Sequence, residues 1–451
     1  MNHERSNFSG SIGFVLAAAG SAVGLGNLWR FPYLAAQYGG GIFLFVYLIL
    51  VLTFGFSLLI LEIAIGRKTK QSSISAYQQL HKKFGFLGYL AALVPVLILP
   101  YYSVIGGWVI KYMLVFLSGN GSQAADSGYF GGFVSQATSP LVYFFIFITI
   151  TMLVVILGVQ KGVERVSKIM MPVLVLITIL IACYVATIDN AIEGIKYYLL
   201  PDFSKFSFKT ICAAMGQLFY SMSIAMGIMV SYGSYVKDDV NLNKSVNHIE
   251  FFDTLIAMLS GFMIVPAVYV FSGEEGLATG GAGLMFKTLP VVFDSMPFGG
   301  FIGGAFFILV FLAAATSSIS LMEAIVSMMI DKWKMGRTKA VIICYIVSLL
   351  LGIPSSLGHG IWEDIKLLGM DFLTFFDYIS NSVMMPIVAI CTCILAGWFV
   401  GPKVMKEEIT KNGEKFHRYG IFNVMIKYIA PVFLLIILVF YTLAQFGFIS
   451  Y

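Results

Sequence analysis

Hydroxyl and amide side chains gather near the midpoints of four long apolar segments. They are Ser21, Asn27, Tyr102, Ser221, Ser223, Thr316, Ser317 and Ser318. Neutral oxygens of this kind suit Na⁺, because hard cations prefer oxygen ligands. Where a helix is interrupted among them, its free N–H groups also suit a carboxylate. The pattern predicts a site for a cation and a small zwitterion at one depth of the apolar segments.

Two of these four segments are expected to be broken helices. The first contains Gly20, Gly24 and Gly26, and each glycine costs a helix roughly 1 kcal/mol relative to alanine. The second runs from Ser221 to Gly227 and contains a single glycine. Glycine also serves close packing between membrane helices. An unbroken, tightly packed helix therefore stays open as the alternative, more strongly for the second segment.

Charged residues also lie inside the apolar segments, where charge is costly and usually functional. They are Arg30, Glu62, Lys111, Asp253, Glu323 and Asp377. Arg30 and Asp377 fall in the outer parts of their segments, so an ion pair between them could close the site from above. Arg5 and Asp331 fall at the opposite ends and could close it from below. The alternative is that each charge reaches the interface independently.

The amino-acid composition indicates the class of protein to which these residues belong. Of the 451 residues, 59% are hydrophobic and only 11% are charged, and the mean hydropathy is +0.90. A soluble chain averages about 25% charged residues, so these numbers exclude a cytosolic enzyme, a disordered protein and a nucleic-acid binder. The five cysteines lie in apolar runs and do not suggest a disulfide framework.

Runs long enough to cross a bilayer as helices recur along the whole chain. They lie near 11–36, 41–66, 86–117, 139–159, 165–187, 209–236, 246–271, 299–330, 338–357, 367–399 and 423–449. The runs are continuous rather than alternating, which argues against a β-barrel. The sequence therefore predicts an all-α polytopic membrane protein with 11 transmembrane helices.

The distribution of basic residues orients these helices. Most of the 28 Lys and Arg residues fall in segments on the same side as the N-terminus. By the positive-inside rule that side is cytoplasmic, which places the N-terminus inside and the C-terminus outside. The net charge of +5 is then a consequence of topology and requires no acidic partner.

The predicted helices divide into two halves of similar length. An odd number of spans in each half forces the second half to enter from the opposite side, as in inverted-repeat transporters. The expected organisation is a cytoplasmic segment 1–10, a first repeat 11–187, an extracellular loop 188–208, a second repeat 209–399, a cytoplasmic loop 400–422 and a last helix 423–451.

Several motifs give the sequence a specific resemblance. The run Ala22-Val-Gly-Leu-Gly-Asn-Leu-Trp-Arg-Phe-Pro-Tyr33 resembles the signature of the neurotransmitter:sodium symporter family. Motifs that match in order and spacing are Glu62 with Gly66-Arg67, Tyr101-Tyr102 with Trp108, Gly216-Gln217 and Thr316-Ser317-Ser318. The resemblance covers helices 1–10, and an end after helix 11 is similar to the bacterial eleven-helix amino-acid transporter branch. It implies the LeuT-type 5+5 inverted repeat, with helices 1 and 6 broken at mid-membrane.

The resemblance also implies roles for individual residues. A first sodium site would use Ala22, Asn27, Ser221 and Asp253, together with the substrate carboxylate. A second sodium site would use Gly20, Val23, Ala313, Thr316 and Ser317. The substrate would meet Ala22, Leu25, Gly26, Ile98, Tyr102, Tyr220, Ser221, Ser223, Met226, Ser317 and Leu321. The gates would be Arg30 with Asp377 outside, and Arg5 with Asp331 and Tyr235 inside. Gly162 and Pro172 match a helix 5 motif that is linked to local unwinding, since proline removes a backbone hydrogen bond.

The sequence departs from the family pattern at a few positions. Gly24 stands where monoamine carriers have an aspartate, which favours a substrate that brings its own carboxylate. Asp253 stands where many members have asparagine, and Ala257 lacks the polar group that many place one turn later. Transport is therefore expected to need no chloride, with Asp253 or Glu62 supplying the negative charge. Ala225 replaces a glycine that is common in bacterial members.

These expectations favour a sodium-coupled symporter that imports hydrophobic or aromatic amino acids by alternating access across the bacterial cytoplasmic membrane. The expected partners are the amino acid and the lipid bilayer, without nucleic acid or an obligate protein partner. The alternative is a transport-dead amino-acid sensor or an ion channel of the same fold. An enzyme is disfavoured, because the histidines lack zinc-type spacing and no activating base is evident near Ser221 or Thr316.

Overall fold

The structure of the protein is a computed structural model that describes residues 7–278 and 283–448, without the side chains of 274–278. Arg5 lies outside the described residues. Long helices dominate, and the described residues form no strand beyond two isolated bridges. Their principal helices are α1 (Ser11–Ala22), α2 (Gly26–Gln37), α3 (Gly41–Thr69), α4 (Lys82–Leu117), α5 (Thr138–Ile156), α6 (Val159–Ala186), α7 (Phe208–Ser221), α8 (Ile228–Ser234), α9 (Leu242–Gly273), α10 (Gly299–Trp333), α11 (Arg337–Leu357), α12 (Phe372–Val400) and α13 (Tyr419–Gln445).

The helices follow the apolar runs of the sequence. Within the described residues, nine helices are individually long and apolar enough to cross a membrane, and the bent pair α1 and α2 raises that number to ten. The sixth predicted span, 209–236, is divided into α7 and α8, which are too short to qualify alone. The all-α membrane fold is confirmed, while the count of 11 spans stays a prediction.

Both expected breaks are present. The axes of α1 and α2 meet at 52°, and Val23 leaves the helix with an extended backbone (φ −75°, ψ 101°). Between α7 and α8, the backbone φ is positive at Ser223 (53°), Ala225 (63°) and Gly227 (69°). Left-handed residues cannot continue a right-handed helix, so α7 ends and α8 begins afresh.

The two breaks face each other in the centre of the bundle. Helix α10 packs along α4, and also contacts α1 and α8. Small buried residues, Ala313 to Ser318, line this part of α10 and let the neighbouring backbones approach closely. A buried Glu323 further along α10 pairs with Arg337 at the start of α11. The architecture thus gathers the backbone atoms freed by both breaks around the middle of α10 and α4.

Candidate functional site

A small cavity of about 30 Å³ lies between the two breaks, α4 and α10. It is lined by Ser21, Ala22, Gly24, Leu25, Gly26, Ile98, Tyr102, Tyr220, Ser221, Ser223, Met226, Ile228, Ser317 and Leu321. All the substrate-binding residues that the family resemblance implies lie in this lining. Ser21, Gly24 and Ile228 join them. A space of this size has room for about two ordered waters, so the lining must move to admit an amino acid.

The start of α2 supplies the donors at one end of the cavity. The Leu25 N–H donates to the Tyr102 hydroxyl at 3.3 Å, and the Gly24 N–H donates to Asn27 Oδ1 at 3.0 Å. The Tyr102 hydroxyl can in turn donate to a third group. Backbone donors at a helix N-terminus next to a phenol form a suitable site for a carboxylate.

Hydroxyls and backbone carbonyls of the breaks lie beside these donors. The Ser223 hydroxyl donates to the Ser21 carbonyl oxygen at 2.9 Å and accepts from the Ser21 hydroxyl at 3.2 Å. Ile98, Met226 and Leu321 form the apolar part of the lining. One end of the cavity can therefore bind polar groups, and the rest suits an apolar side chain.

Position 24 has no room for a side chain. A Cβ atom at this position would lie 2.6 Å from Ser317 Oγ and 3.0 Å from the Tyr102 hydroxyl oxygen. Those separations are below van der Waals contact, so even alanine would force the wall to shift. An aspartate at position 24 would occupy the same volume as the polar end of a bound substrate.

The first predicted cation cluster is assembled on one side of this cavity. The Asn27 amide donates to Asp253 Oδ1 at 2.8 Å and to Ser221 Oγ at 3.0 Å, and the Ser221 hydroxyl donates to Asp253 Oδ1 at 2.7 Å. Asp253 is fully buried, and its Oδ2 has no hydrogen-bond partner among the described residues. A buried carboxylate oxygen is costly unless a positive charge or a donor meets it, so these residues fit a bound cation.

The second predicted cation cluster lies between α1 and α10. The Ser317 hydroxyl donates to the Val23 carbonyl at 3.3 Å, and the Thr316 hydroxyl donates to the Ala313 carbonyl at 3.1 Å. Gly20 brings the α1 backbone close, since a Cβ there would lie 3.4 Å from Thr316 Cβ. The five residues assigned to this cluster are thus brought together, and their neutral oxygens suit an alkali cation.

Glu62 is tied to the second break rather than to either cluster. Its Oε1 accepts from the Ala225 N–H at 2.7 Å, and its Oε2 has no partner among the described residues. Glu62 is buried in α3, so it places a carboxyl group next to the α7–α8 break. That position is compatible with the charge-compensating role expected from the sequence.

A larger chamber of about 370 Å³ lies on the outer side of the cavity. The Tyr220 ring borders both spaces, and the Arg30 guanidinium stands over it at 5.3 Å from the ring centre. Asp377 lines the same chamber, but it accepts from the Tyr101 hydroxyl at 3.0 Å and the Asn381 amide at 2.6 Å. Arg30 and Asp377 thus face one chamber without forming an ion pair.

The inner side of the site is packed. The Phe8 N–H donates to the Tyr235 carbonyl at 3.0 Å, and the Phe8 ring lies 5.6 Å from the rings of Phe14 and Tyr232. The carboxylate of Asp331 accepts from the Ser72 N–H at 2.7 Å. The pairing of Asp331 with Arg5 falls outside the described residues. The described residues thus leave a chamber on one side of the site and close the other side, which the sequence predicts to be cytoplasmic, with packed aromatic rings.

Gly162 and Pro172 both lie in α6, which runs without interruption from Val159 to Ala186. The Gly162 N–H donates to the Gly158 carbonyl at 3.0 Å. A Cβ at Gly162 would lie 2.1 Å from the Val154 carbonyl oxygen, so α5 and α6 approach closely here. The helix is wound at this position when the inner side is closed.

Several contacts in the site were not predicted from the sequence. Asn381 and Tyr101 hold the Asp377 carboxylate, although only Tyr101 belonged to a recognised motif. The spacing of Asp377 and Asn381, four positions apart on one helix, was a usable signal. Gln217 donates to the Gly26 carbonyl at 2.9 Å and so bridges the two breaks. No local pattern indicates that bridge, since its members are far apart in the chain.

Comparison with known proteins gives consistent matches over the whole chain. The family model described as the sodium:neurotransmitter symporter family matches residues 5–122 and 134–451. The sodium-dependent transporter YhdH of Bacillus subtilis is 34% identical over 440 residues, covering 95% of this chain and 96% of the relative. The human sodium- and chloride-dependent GABA transporter 2 is 26% identical, covering 90% of this chain and 75% of the relative.

A solved structure is similar along almost the entire length. The crystal structure of MhsT in complex with L-phenylalanine superposes with a TM-score of 0.87 at 34% sequence identity. The match covers 96% of this chain and 99% of that chain. The fold therefore has a structural counterpart over almost its whole length.

Proposed function

Because the chain belongs to the sodium:neurotransmitter symporter family, we propose that it imports hydrophobic or aromatic amino acids with sodium by alternating access. As a member of this family it is a sodium-dependent membrane transporter and not an enzyme. The observation that carries the proposal is the small cavity between the two breaks, where helix-terminal donors and an apolar wall meet. Its lining residue Ser221 donates to the buried Asp253 carboxylate, which lies behind the wall.

The proposed substrate follows from the two ends of the cavity. The N–H groups of Leu25 and Gly26 and the Tyr102 hydroxyl would receive the carboxylate, and the Ser223 hydroxyl with the carbonyls of Ala22, Tyr220 and Ser221 would receive the amine. Ile98, Met226 and Leu321 would contact the side chain. Methionine adapts to different shapes, so several apolar amino acids would fit. MhsT, crystallised with L-phenylalanine, supports this substrate class.

Two sodium ions are proposed, one for each cluster of oxygens. The first would bind the Ala22 carbonyl, Asn27, Ser221, Asp253 and the substrate carboxylate. The second would bind the carbonyls of Gly20, Val23 and Ala313 with the hydroxyls of Thr316 and Ser317. Because the first ion neutralises the substrate carboxylate in a water-poor site, each would raise the affinity for the other.

We propose that this coupling needs no chloride. The buried Asp253 carboxylate, with Glu62 near the same break, supplies negative charge. Chloride would be redundant beside a fixed charge of the same sign. In chloride-free gluconate buffer, uptake is expected to persist, and its loss would contradict this part of the proposal.

The proposed transport cycle uses the two ends of the site in turn. On the outer side, the Tyr220 ring and an Arg30–Asp377 ion pair would close over bound substrate. On the inner side, Arg5 with Asp331 and Tyr235 would open when helix α6 unwinds between Gly162 and Pro172. The closed inner side and the outer chamber are compatible with a state that precedes substrate entry.

The proposed placement is the bacterial cytoplasmic membrane, with the N-terminus inside and the C-terminus outside. The excess of basic residues on the N-terminal side supports this orientation. The proposed organisation is two inverted repeats, 11–187 and 209–399, followed by a last helix, with no obligate protein partner.

Uptake by purified protein in proteoliposomes tests the proposal. A panel of labelled amino acids is offered with an inward sodium gradient, and with choline in place of sodium as the control. Accumulation of apolar amino acids in sodium alone is the expected result. Binding without accumulation would instead identify a sensor, and accumulation of polar amino acids would contradict the proposed substrate class.

A further inference from the structure

A second cavity, of about 250 Å³, lies away from the substrate site on the flank of the bundle. We call it the flank cavity; its walls come from α4, α10, α11 and the short helix Ser73–Leu80, through residues that include Ala92, Met328, Trp333, Cys344 and Val347. Trp333 is 53% exposed and Val347 is 36% exposed. The cavity therefore reaches the surface that faces the bilayer.

The lining of the flank cavity is apolar. Its hydroxyl group, on Ser348, is satisfied inside α11, where it donates to the Cys344 carbonyl at 2.8 Å. An apolar protein cavity of about 150 Å³ stays dry and takes up benzene. A larger cavity of the same chemistry, open toward lipid, suits a longer hydrocarbon group.

Basic and aromatic residues lie next to the end of the flank cavity that Trp333 lines. Lys332 precedes the lining residue Trp333, and its ammonium lies 5.5 Å from the ring centre of Tyr89, one turn before Ala92 on α4. Lys332 donates to the neutral Gln78 amide oxygen at 3.3 Å rather than to a carboxylate, and Lys334 beside it is exposed. Such a set of aromatic and basic groups is typical of the level of lipid headgroups.

From this arrangement we propose that the flank cavity binds an acyl chain of an anionic phospholipid, whose phosphate contacts Lys332 and Lys334. The occupant is a lipid of the leaflet next to the loop between α10 and α11. Zwitterionic lipids offer the same chains without the net charge that the two lysines recognise.

The site has a physical link to the transport machinery. Met328, in the cavity wall, packs against the second break, because its Cε would lie 2.6 Å from a Cβ at Gly227. Ile74 lines the same cavity, and the nearby Ser72 N–H binds the Asp331 carboxylate. A chain in the cavity would therefore support the helices that keep the inner side closed. This inference does not rest on the proposed substrate or on the number of sodium ions.

Native mass spectrometry of the full-length, delipidated protein in detergent tests the proposal without any substrate. Dioleoyl phosphatidylglycerol is compared with dioleoyl phosphatidylcholine on the wild type and on Ala92→Phe, which fills the cavity. Leu93→Phe is the matched control, since Leu93 lies next to Ala92 but is 46% exposed on the lipid face. Val347→Phe fills the cavity from the opposite wall, and melting temperatures show that each variant is folded.

The expected result is one retained phosphatidylglycerol on the wild type and on Leu93→Phe. Occupancy should fall at least fivefold in both filling variants and in the double variant Lys332→Gln/Lys334→Gln. The proposal is overturned if the wild type retains no lipid, if phosphatidylcholine binds equally well, or if folded filling variants retain phosphatidylglycerol like the wild type.

A fluorescence measurement distinguishes a chain inside the cavity from a headgroup on the surface. Phosphatidylglycerol with brominated chains should quench Trp333 at low lipid concentration, so Trp333→Phe should lose this quenching. Trp398 is also lipid-facing, at 59% exposure, but lies outside the cavity. Quenching that disappears in Trp398→Phe and persists in Trp333→Phe would contradict the proposal.

Discussion

At the scale of single residues, Asp253 determines the electrostatics of the site. It is fully buried, receives hydrogen bonds from Asn27 and Ser221 on one oxygen, and leaves the other without a partner among the described residues. A buried carboxylate is costly unless positive charge or hydrogen-bond donors compensate it. The proposed sodium ion would supply that positive charge, so ion binding and the geometry of the site would depend on each other.

Replacing Asp253 by asparagine keeps the shape and removes the charge. We expect the sodium concentration that gives half-maximal phenylalanine binding to rise roughly ten- to hundredfold, since bonds to charged groups are worth about 1.5–3 kcal/mol. A scintillation proximity assay at varied sodium concentration measures this half-maximal value. Asp294→Asn, at an exposed carboxylate outside the site, is the control. Equal sodium dependence in Asp253→Asn and the wild type would remove Asp253 from the ion site.

Gly24 is the residue at which space, rather than charge, is decisive. Because a Cβ would lie 2.6 Å from Ser317 Oγ, we expect Gly24→Ala to weaken phenylalanine binding at least tenfold, or about 1.4 kcal/mol. Gly132→Ala, where no atom lies within 4 Å of the added carbon, should bind like the wild type. Equilibrium binding in saturating sodium separates the two. Unchanged affinity in Gly24→Ala would mean that the substrate does not approach this wall.

At the scale of elements, the two breaks differ in how their sequences produce them. The α1–α2 break coincides with a cluster of glycines that was visible in the sequence. The α7–α8 break contains Ser223 and Ala225 with positive φ, which L-residues adopt reluctantly. Its backbone is held by Glu62, whose carboxylate accepts from the Ala225 N–H across 163 positions of the chain. A contact so distant leaves no local pattern, so this break was indicated mainly by its counterpart in the first half.

The backbone of the second break gives a testable pair of substitutions. Gly227→Ala should lower the melting temperature and the uptake rate, because φ is +69° and a Cβ would lie 2.6 Å from Met328 Cε. Ala225→Gly should leave the melting temperature equal or higher, since glycine adopts φ of +63° without strain. Gly119→Ala, with φ of +78° and no close atom, controls for strain alone. A lower melting temperature in Ala225→Gly would contradict the strained geometry.

At the scale of the whole molecule, the outer chamber and the packed inner side match one state of the proposed transport cycle. Spans, core and site lining could be predicted from apolar runs and motif residues, because those depend on sequence pattern alone. The separation of Arg30 and Asp377 could not, because each is held by a contact with a distant part of the chain: the Arg30 guanidinium lies over the Tyr220 ring, and Asp377 accepts from the Tyr101 hydroxyl. A proposed gate would pair in one arrangement and part in another, and one sequence would encode both.

Cysteine labelling tests whether the outer side of the site is open and the inner side closed. Thr374 lines the outer chamber, so Thr374→Cys should react with a membrane-impermeant maleimide from outside. Sodium with phenylalanine, as a substrate of the proposed class, should protect this cysteine at least threefold, because the proposed gate would close over the chamber. Asn412→Cys, in an exposed loop on the opposite face, should react only after the membrane is opened. The unmodified protein gives the background from native cysteines. If sodium and phenylalanine do not protect Thr374→Cys, the proposed gate is contradicted. If Asn412→Cys is labelled from outside in intact membranes, the proposed orientation is contradicted.

Coupling between sodium and substrate is measured as the affinity of the purified wild-type protein for labelled phenylalanine while choline replaces sodium. The affinity is expected to fall at least tenfold without sodium, because the substrate carboxylate and Asp253 would then share the site without a cation between them. The same affinity in sodium and choline would contradict the proposal that sodium and substrate are bound as one coupled unit.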